Sequence, residues 1–286
     1  MSLYSSFNSS KKAGTIRNIL IMLFLLFFAL VSLFPIYFMI GQSFGDPVEA
    51  GAATFSLLPR KFSLGSYAFF FDYSKYSVRW LLNSLIVASL TTLANVVFAA
   101  MAGYSFAKMK FKGQKWIFSI LLIAMMIPYQ VTQVPLYILM VNIFELNNTY
   151  TALIAPGLCT VYNVFLTKQF MASIPTSLIE SAKIEGCNQP QIFIKIIVPL
   201  SKTILAVMAI TTFMNTWNTF FWPLLVTDTM EMQTIQVGLK NFRFANTTYF
   251  SPMMAGATIS ALPMFVLFFS LQKYFLEGVT VGAVKG

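Results

Sequence analysis

The chain has 286 residues, of which 57% are hydrophobic and 10% charged, against about 25% charged in an ordinary soluble domain. With 19 Lys+Arg, 9 Asp+Glu and 30 Phe, it has too little charge to coat a water-facing surface of this size, which excludes a soluble globular fold. The net charge of +10 raises the question of a polyanionic partner such as nucleic acid, and the placement of the charges answers it.

Six long stretches carry no charge at all: residues 18–45, 80–107, 116–144, 146–167, 203–227 and 244–272. About 20 apolar residues, each rising about 1.5 Å, cross a hydrocarbon layer, so each stretch predicts one transmembrane helix. If the N-terminus is cytoplasmic, the inner segments 1–18, 107–115, 168–202 and 272–286 hold 13 Lys/Arg and 3 Asp/Glu, while the outer ones hold six of each. The whole positive excess then lies on one side, as the positive-inside rule requires. The basic balance therefore reports topology, and no nucleic-acid partner is expected. The predicted fold class is all-α integral membrane, with six transmembrane helices and both termini cytoplasmic.

In chain order, a Ser/Asn-rich cytoplasmic tail, 1–17, is expected to be unstructured at its start and leads into the first helix, 18–40. Lys11, Lys12 and Arg17 ahead of an apolar run imitate a signal peptide. The run from Ile19 to Ile40 is too long for one and no clean small-x-small site follows, so an uncleaved helix is expected. An external loop, 41–79, containing Pro47 and Pro59 comes next. The core, 80–276, contains five helices near 80–107, 116–140, 149–171, 200–226 and 253–275, with a cytoplasmic loop at 175–199 and an external loop at 227–252. A short tail, 277–286, ends the chain. Cys159 and Cys187 fall at different depths and are expected to pack rather than to pair.

Several chemistries are missing. There is no histidine, which removes imidazole bases, Ser-His and Cys-His nucleophiles and His-based zinc or haem sites. No Gly-x-x-x-x-Gly-Lys-Ser/Thr loop is present, so energy from ATP must come from another subunit. None of the six stretches holds the midplane charge that ion-coupled carriers use, and there is no Arg-rich sensor helix or TVGYG-like filter.

The cytoplasmic loop reads as two short helices meeting at a glycine. Pro175 precedes Ser177-Leu-Ile-Glu180, the pattern of a capping box. This helix is expected to run to about Glu185 and close at Gly186, since glycine takes the left-handed conformation that ends a helix. Asn188-Gln189-Pro190-Gln191 reads as a second start, and Ile192, Phe193, Ile196 and Ile197 form an apolar stripe before Pro199. An elbow of this kind suits docking into a groove on a partner, or lying on lipid headgroups.

At these residues the sequence resembles a known family. Glu180-Ser181-Ala182-x-x-x-Gly186, nine residues, then Ile196-x-Val198-Pro199 is similar to the EAA loop of bacterial ABC importer permeases. Ser181 and Val198 depart from that pattern, which has alanine and leucine there. Ala107-Lys-Met-Lys-Phe-Lys-Gly113, Met126-Ile-Pro128, Val134-Pro-Leu-Tyr137, Trp217-Asn-Thr-Phe-Phe-Trp-Pro223 and the terminal Gly282-Ala-Val-Lys-Gly286 resemble the type I permeases of carbohydrate importers, in particular the MalG-like second membrane subunit. The resemblance covers about residues 80–286.

It implies a type I ABC importer permease fold, paired with a second, homologous permease. The pair would rest on a dimer of ATP-binding subunits, and an extracellular or periplasmic solute-binding protein would deliver the cargo. ATP and Mg are expected on the partner ATPase, and no cofactor or metal on this chain. Residues 175–199 would be the coupling loop, with Glu180 as the charged contact to the ATPase surface and Ser181 beside it, Ala182 as the small residue allowing close approach, Gly186 as the hinge between the helices, and Ile196 and Pro199 closing the motif. The tail 277–286 could reach the same ATPase.

A sugar offers hydroxyls and apolar C–H faces, so its path needs neutral hydrogen-bonding groups and aromatic rings. Thr211, Asn215, Asn218 and Trp222 follow at helical spacing in the fifth span, and Tyr129, Gln130, Gln133, Tyr162 and Asn163 add to them from the third and fourth. These residues are pathway candidates, with interhelical hydrogen bonding as the alternative reading. The external loops are candidate contacts for the binding protein, above all 227–253 with its Gln233-Thr-Ile-Gln-Val-Gly-Leu239 string. Arg79, Lys240 and Arg243 could assist a charged cargo or be solvated surface. The expected function is sugar import as a membrane subunit, without enzymatic activity. An autonomous ion-coupled transporter is the competing class, followed by a membrane-bound enzyme.

Overall fold

The computed structural model describes residues 2–47, 57–59, 61–73, 75–242 and 249–283, with side chains described from 17 to 270 among these. The helices are α1 (Ser2–Ser43), α2 (Gly65–Tyr73), α3 (Ser77–Lys108), α4 (Gln114–Met125), α5 (Tyr129–Tyr137), α6 (Tyr150–Ile154), α7 (Val161–Ala172), α8 (Thr176–Ile184), α9 (Gln189–Ile192), α10 (Val198–Leu200), α11 (Lys202–Asn218), α12 (Phe221–Val226), α13 (Ile235–Lys240) and α14 (Phe250–Ala283). Among the described residues there is no strand. Residues 17–43 of α1, all of α3, Tyr150–Ala172 and Phe250–Ser270 are each long and apolar enough to cross a membrane. Two bent pairs, Gln114–Met125 with Tyr129–Ile143 and Gln189–Leu200 with Lys202–Asn218, bring the total to six if each counts as one span. The chain is a multi-pass membrane protein.

Three expectations change. The helix expected over 116–140 is two segments meeting at 98°. Pro128 sits at the break with ψ 133, because a proline lacks an amide hydrogen and pushes the preceding residue away from helical geometry. The helix expected over 200–226 stops at Asn218, where Thr219 turns extended with ψ 124, and resumes as α12. At the other end of the chain, α1 reaches back to Ser2 through the segment read as an unstructured tail.

The chain divides into two compact units, one comprising 1–72 and 242–259 and the other 73–241 and 260–286. In the first, Ser66 Oγ donates to Gly45 O at 2.6 Å and Ser43 Oγ lies 2.7 Å from Tyr67 OH. Aromatic pairs close it, Phe70 with Phe242 at 5.6 Å and Phe69 with Tyr249 at 4.9 Å.

In the second unit α3 is the central element. Ser84, Ala88, Thr91, Asn95, Ala99 and Gly103, spaced three or four apart, form one buried stripe of small or neutral polar residues. Such a stripe lets helices approach closely in lipid, where apolar surface alone gives no reason to associate. At its middle, Asn95 Nδ2 donates to Gly157 O at 2.7 Å, and Asn163 Nδ2 donates to Asn95 Oδ1 at 2.6 Å and Thr212 Oγ1 at 3.0 Å. One carboxamide pair thus ties α3, α7 and α11. Asn95→Leu is expected to destabilise the purified chain by about 2 kcal/mol, the upper end for interhelical hydrogen bonds in membranes; a lower thermal midpoint in detergent would register it.

Candidate functional site

The elbow between α7 and α11 belongs to the second unit. Its first helix, α8, begins at Thr176, and Pro175 stands at the cap with no side-chain cap bond. The capping box expected from Ser177 and Glu180 is therefore not formed. Pro175, with φ −58 and ψ 130, starts the helix two residues earlier and leaves Ser177 and Glu180 inside the helix, both exposed.

The inward face of α8 is Ile179 and Ala182, which join Ala100, Tyr104, Met171, Ile174, Ile192 and Ile197 in one apolar cluster. Ala182 is 5% exposed. Its small side chain thus permits close approach to the chain's own helices. Leu178, Glu180, Ser181, Lys183, Ile184 and Glu185 face out. Ile184 is 88% exposed and was not singled out from the sequence; it occupies an unspecified position of the motif, and only the α8 register shows that it points outward.

Gly186 has φ +84. Gly186 N donates to Lys183 O at 3.0 Å and Cys187 N to Ala182 O at 2.9 Å, the paired bonds of a Schellman closure. The second start forms as expected: Gln191 N donates to Asn188 Oδ1 at 3.0 Å and Asn188 N to Gln191 Oε1 at 2.9 Å. After α9 the chain loosens into a π turn, Phe193–Ile197, then α10. Ile196 packs half-buried on the apolar cluster, while Pro199 is exposed. Ser201 marks the 78° bend into α11.

The pathway candidates separate into two groups. Asn215 and Asn218 are exposed on α11, and Tyr129, Gln130 and Tyr162 are exposed on their own helices. Thr211 gives its hydroxyl to Val207 O and Met208 O within its own helix. Trp222, expected on the same face, lies beyond the Thr219 break on α12, buried, with Nε1 donating to Ala152 O at 2.9 Å. Asn163 is buried and spent on Asn95 and Thr212. For Trp222 and Asn163 the interhelical reading is the one the packing supports. Gln133 is 3% exposed, and both polar atoms of its carboxamide lack a hydrogen-bond partner. It borders a cavity of about 410 Å³ with Gln130, Val134, Tyr137, Phe221 and Leu225.

The loop after α12 is tied down. Trp80 Nε1 donates to Met230 O at 2.7 Å, and Asn83 Nδ2 donates to Glu231 O and Gln233 O, each at 2.9 Å. Arg79 pairs with Glu231 at the surface, Lys240 is exposed, and Arg243 lies outside the described residues, as do the side chains of the tail 277–286. Among the described residues no group of three or more Asp, Glu or Cys gathers to hold a metal.

Residues 95–281 match the family described as binding-protein-dependent transport system inner membrane component. The chain is 34% identical over 274 residues to the arabinooligosaccharides transport system permease protein AraQ of Bacillus subtilis (strain 168), covering 95% of this chain and 97% of that protein. It is 32% identical over 279 residues to the galactooligosaccharides transport system permease protein GanQ of the same organism, covering 95% and 96%. In fold it is similar to a bacterial ABC transporter involved in the import of the acidic polysaccharide alginate, with a TM-score of 0.79 at 22% identity over 91% of this chain and 97% of that one.

Proposed function

Because the chain belongs to the family of binding-protein-dependent transport system inner membrane components, a family of transport permeases rather than enzymes, we propose that it imports an oligosaccharide as the second membrane subunit of a bacterial ABC importer. The elbow carries this reading. Two capped helices fixed to the chain by one apolar cluster leave Leu178, Glu180, Ser181 and Ile184 pointing outward, a rigid knob for a groove on an ATP-hydrolysing partner. The relatives named for arabino- and galactooligosaccharide transport support the cargo class.

In this reading the chain sits in the bacterial inner membrane with both termini and the elbow in the cytoplasm. It pairs with a second, homologous permease above a dimer of ATP-binding subunits, which carry the ATP and Mg. An external solute-binding protein meets the outer loops. Closure of the ATPase dimer draws the elbows together, and packed helices pass the motion to the permease halves. Asn215, Asn218, Gln130 and Gln133 remain the pathway candidates, because their carboxamides are not committed to holding helices together.

Affinity purification of the tagged chain from native membranes tests this. Recovery of a second permease and an ATPase supports the reading; recovery of the chain alone overturns it. Gly186→Pro is expected to reduce the recovered ATPase about tenfold, since proline fixes φ near −65° where the elbow needs +84°. Gly186→Asn, which tolerates the left-handed region, is expected to retain most of it.

A further inference from the structure

The elbow's exposed face can dock a partner, but docking moves nothing unless the elbow is joined firmly to a membrane-crossing helix. The structure joins it to α3 through two side chains. Tyr104 is 4% exposed. Its ring lies 5.3 Å from that of Phe193, and its hydroxyl donates to Gln189 Oε1 at 2.8 Å, holding the first residue of α9. One turn further on, Lys108 Nζ donates to Ala172 O at 3.1 Å, at the end of α7, and to Ile174 O, in the connection to α8. A cation belongs at such a helix C-terminus, where carbonyls are unpaired and the dipole is negative.

The two contacts grip opposite sides of the elbow: Lys108 holds the approach to its first helix and Tyr104 the start of its second. The apolar cluster between them, Ala100, Met171, Ile174, Ile179, Ala182, Ile192 and Ile197, supplies adhesion without direction, since burial of apolar surface is indifferent to small sliding. Hydrogen bonds are directional and fix register. Just above, Gly103 meets Thr167 so closely that a Cβ would fall 2.2 Å from its Oγ1, so α3 has no slack against α7 either.

Resting on the importer reading, we infer that Tyr104, acting through Gln189, is a positioning residue for energy coupling: its hydroxyl makes the elbow and α3 move as one body. Without it the elbow still docks, and ATP is hydrolysed, but the elbow slips against α3 and less of the stroke reaches the translocation path. Lys108 does the same for the first helix.

The test uses the complete complex, reconstituted in proteoliposomes with its binding protein and supplied with arabinotriose or galactotriose, whichever the wild type imports. Sugar imported and ATP hydrolysed are measured together. Tyr104→Phe is expected to keep the ATPase bound while lowering sugar imported per ATP about fivefold, the factor that one lost interior hydrogen bond represents. Gln189→Met is expected to do the same, and the double variant to be no worse than either single one, because both remove the same bond. A purely structural role would lower the yield of complex and leave the ratio unchanged; an unchanged ratio in both single variants overturns the inference. If Tyr104→Phe does not assemble, Gln189→Met decides alone, since Gln189 is only half-buried. A wild-type complex that hydrolyses ATP but imports neither sugar, nor any other offered with its binding protein, overturns the proposed cargo and the inference with it. A wild type that imports while both variants keep its ratio sinks the inference only.

Discussion

Ile184→Glu is expected to strip the ATPase from the purified permease, weakening the association about a hundredfold, or about 2.7 kcal/mol. Ile184 ends α8 with 88% of its surface exposed, at the corner that Gly186 turns. Burying an isoleucine side chain in a partner's groove contributes about 1.5–3 kcal/mol. A carboxylate in its place loses that contribution and adds the cost of desolvating a charge. Ile184→Ala, which loses only the apolar contact, is expected to cost about tenfold. Titration of purified ATPase onto the detergent-solubilised permease pair reads both values. Wild-type affinity in Ile184→Glu would mean that this face lies on lipid headgroups rather than on a protein.

Gly103→Leu is expected to prevent recovery of folded chain altogether. A Cβ at this position would fall 2.2 Å from Thr167 Oγ1, 2.7 Å from Thr167 Cβ and 2.9 Å from Lys168 N. The last of these is backbone and cannot rotate away, so even Gly103→Ala must separate α3 from α7. That separation loosens the bond Thr167 makes across to Ala99 O, at 2.9 Å, and disturbs the Asn95–Asn163 pair that joins the same two helices. Overpacking of this kind costs about 3 kcal/mol for a modest side chain. Gly103→Ala combined with Thr167→Ala is expected to recover only part of that, since Lys168 N still obstructs. Thermal unfolding in detergent, ranking wild type above the double variant and the double variant above Gly103→Ala, is the expected order; full rescue would show that the side chain rather than the backbone sets the distance.

How far local pattern carries is clearest in the elbow. Two capping signals were readable, and one of them forms. Asn188 and Gln191 satisfy each other's backbone amides, while Ser177 and Glu180 do not, because Pro175 starts the helix two residues early. Gly186 was legible for a strictly local reason: a positive φ is a property of one residue and its neighbours. Ala182 shows the limit. Its place in the motif marks it as a small residue for close approach without saying to what, because which way a residue of a short helix points depends on what the helix packs against, and that surface comes from α3 and α7, some 80 and 10 residues upstream.

The polar residues of the spans repeat the lesson. Extending a 3.6-residue period from Thr211 to Trp222 assumed an unbroken helix, and the break at Thr219 put Trp222 on another element. Asn163 and Gln133 are alike in the sequence, each an amide in an apolar stretch. In the structure one donates to two neighbouring helices and the other is buried with neither end paired.

By itself, then, the sequence determined everything that depends on composition and on neighbours in the chain: a membrane solvent, charge-free stretches long enough for six crossings, the absence of histidine and phosphate-loop chemistry, and an elbow punctuated at Gly186 and Asn188. Only the tertiary structure decided which face each helix buries, where the third and fifth spans bend, which amides are spent on packing, and that Tyr104 and Lys108 hold the elbow. The division has a physical cause. Transfer into lipid and helix capping are settled over a few residues, whereas orientation and hydrogen-bond partnership are settled by groups far apart in the chain that meet only when it packs.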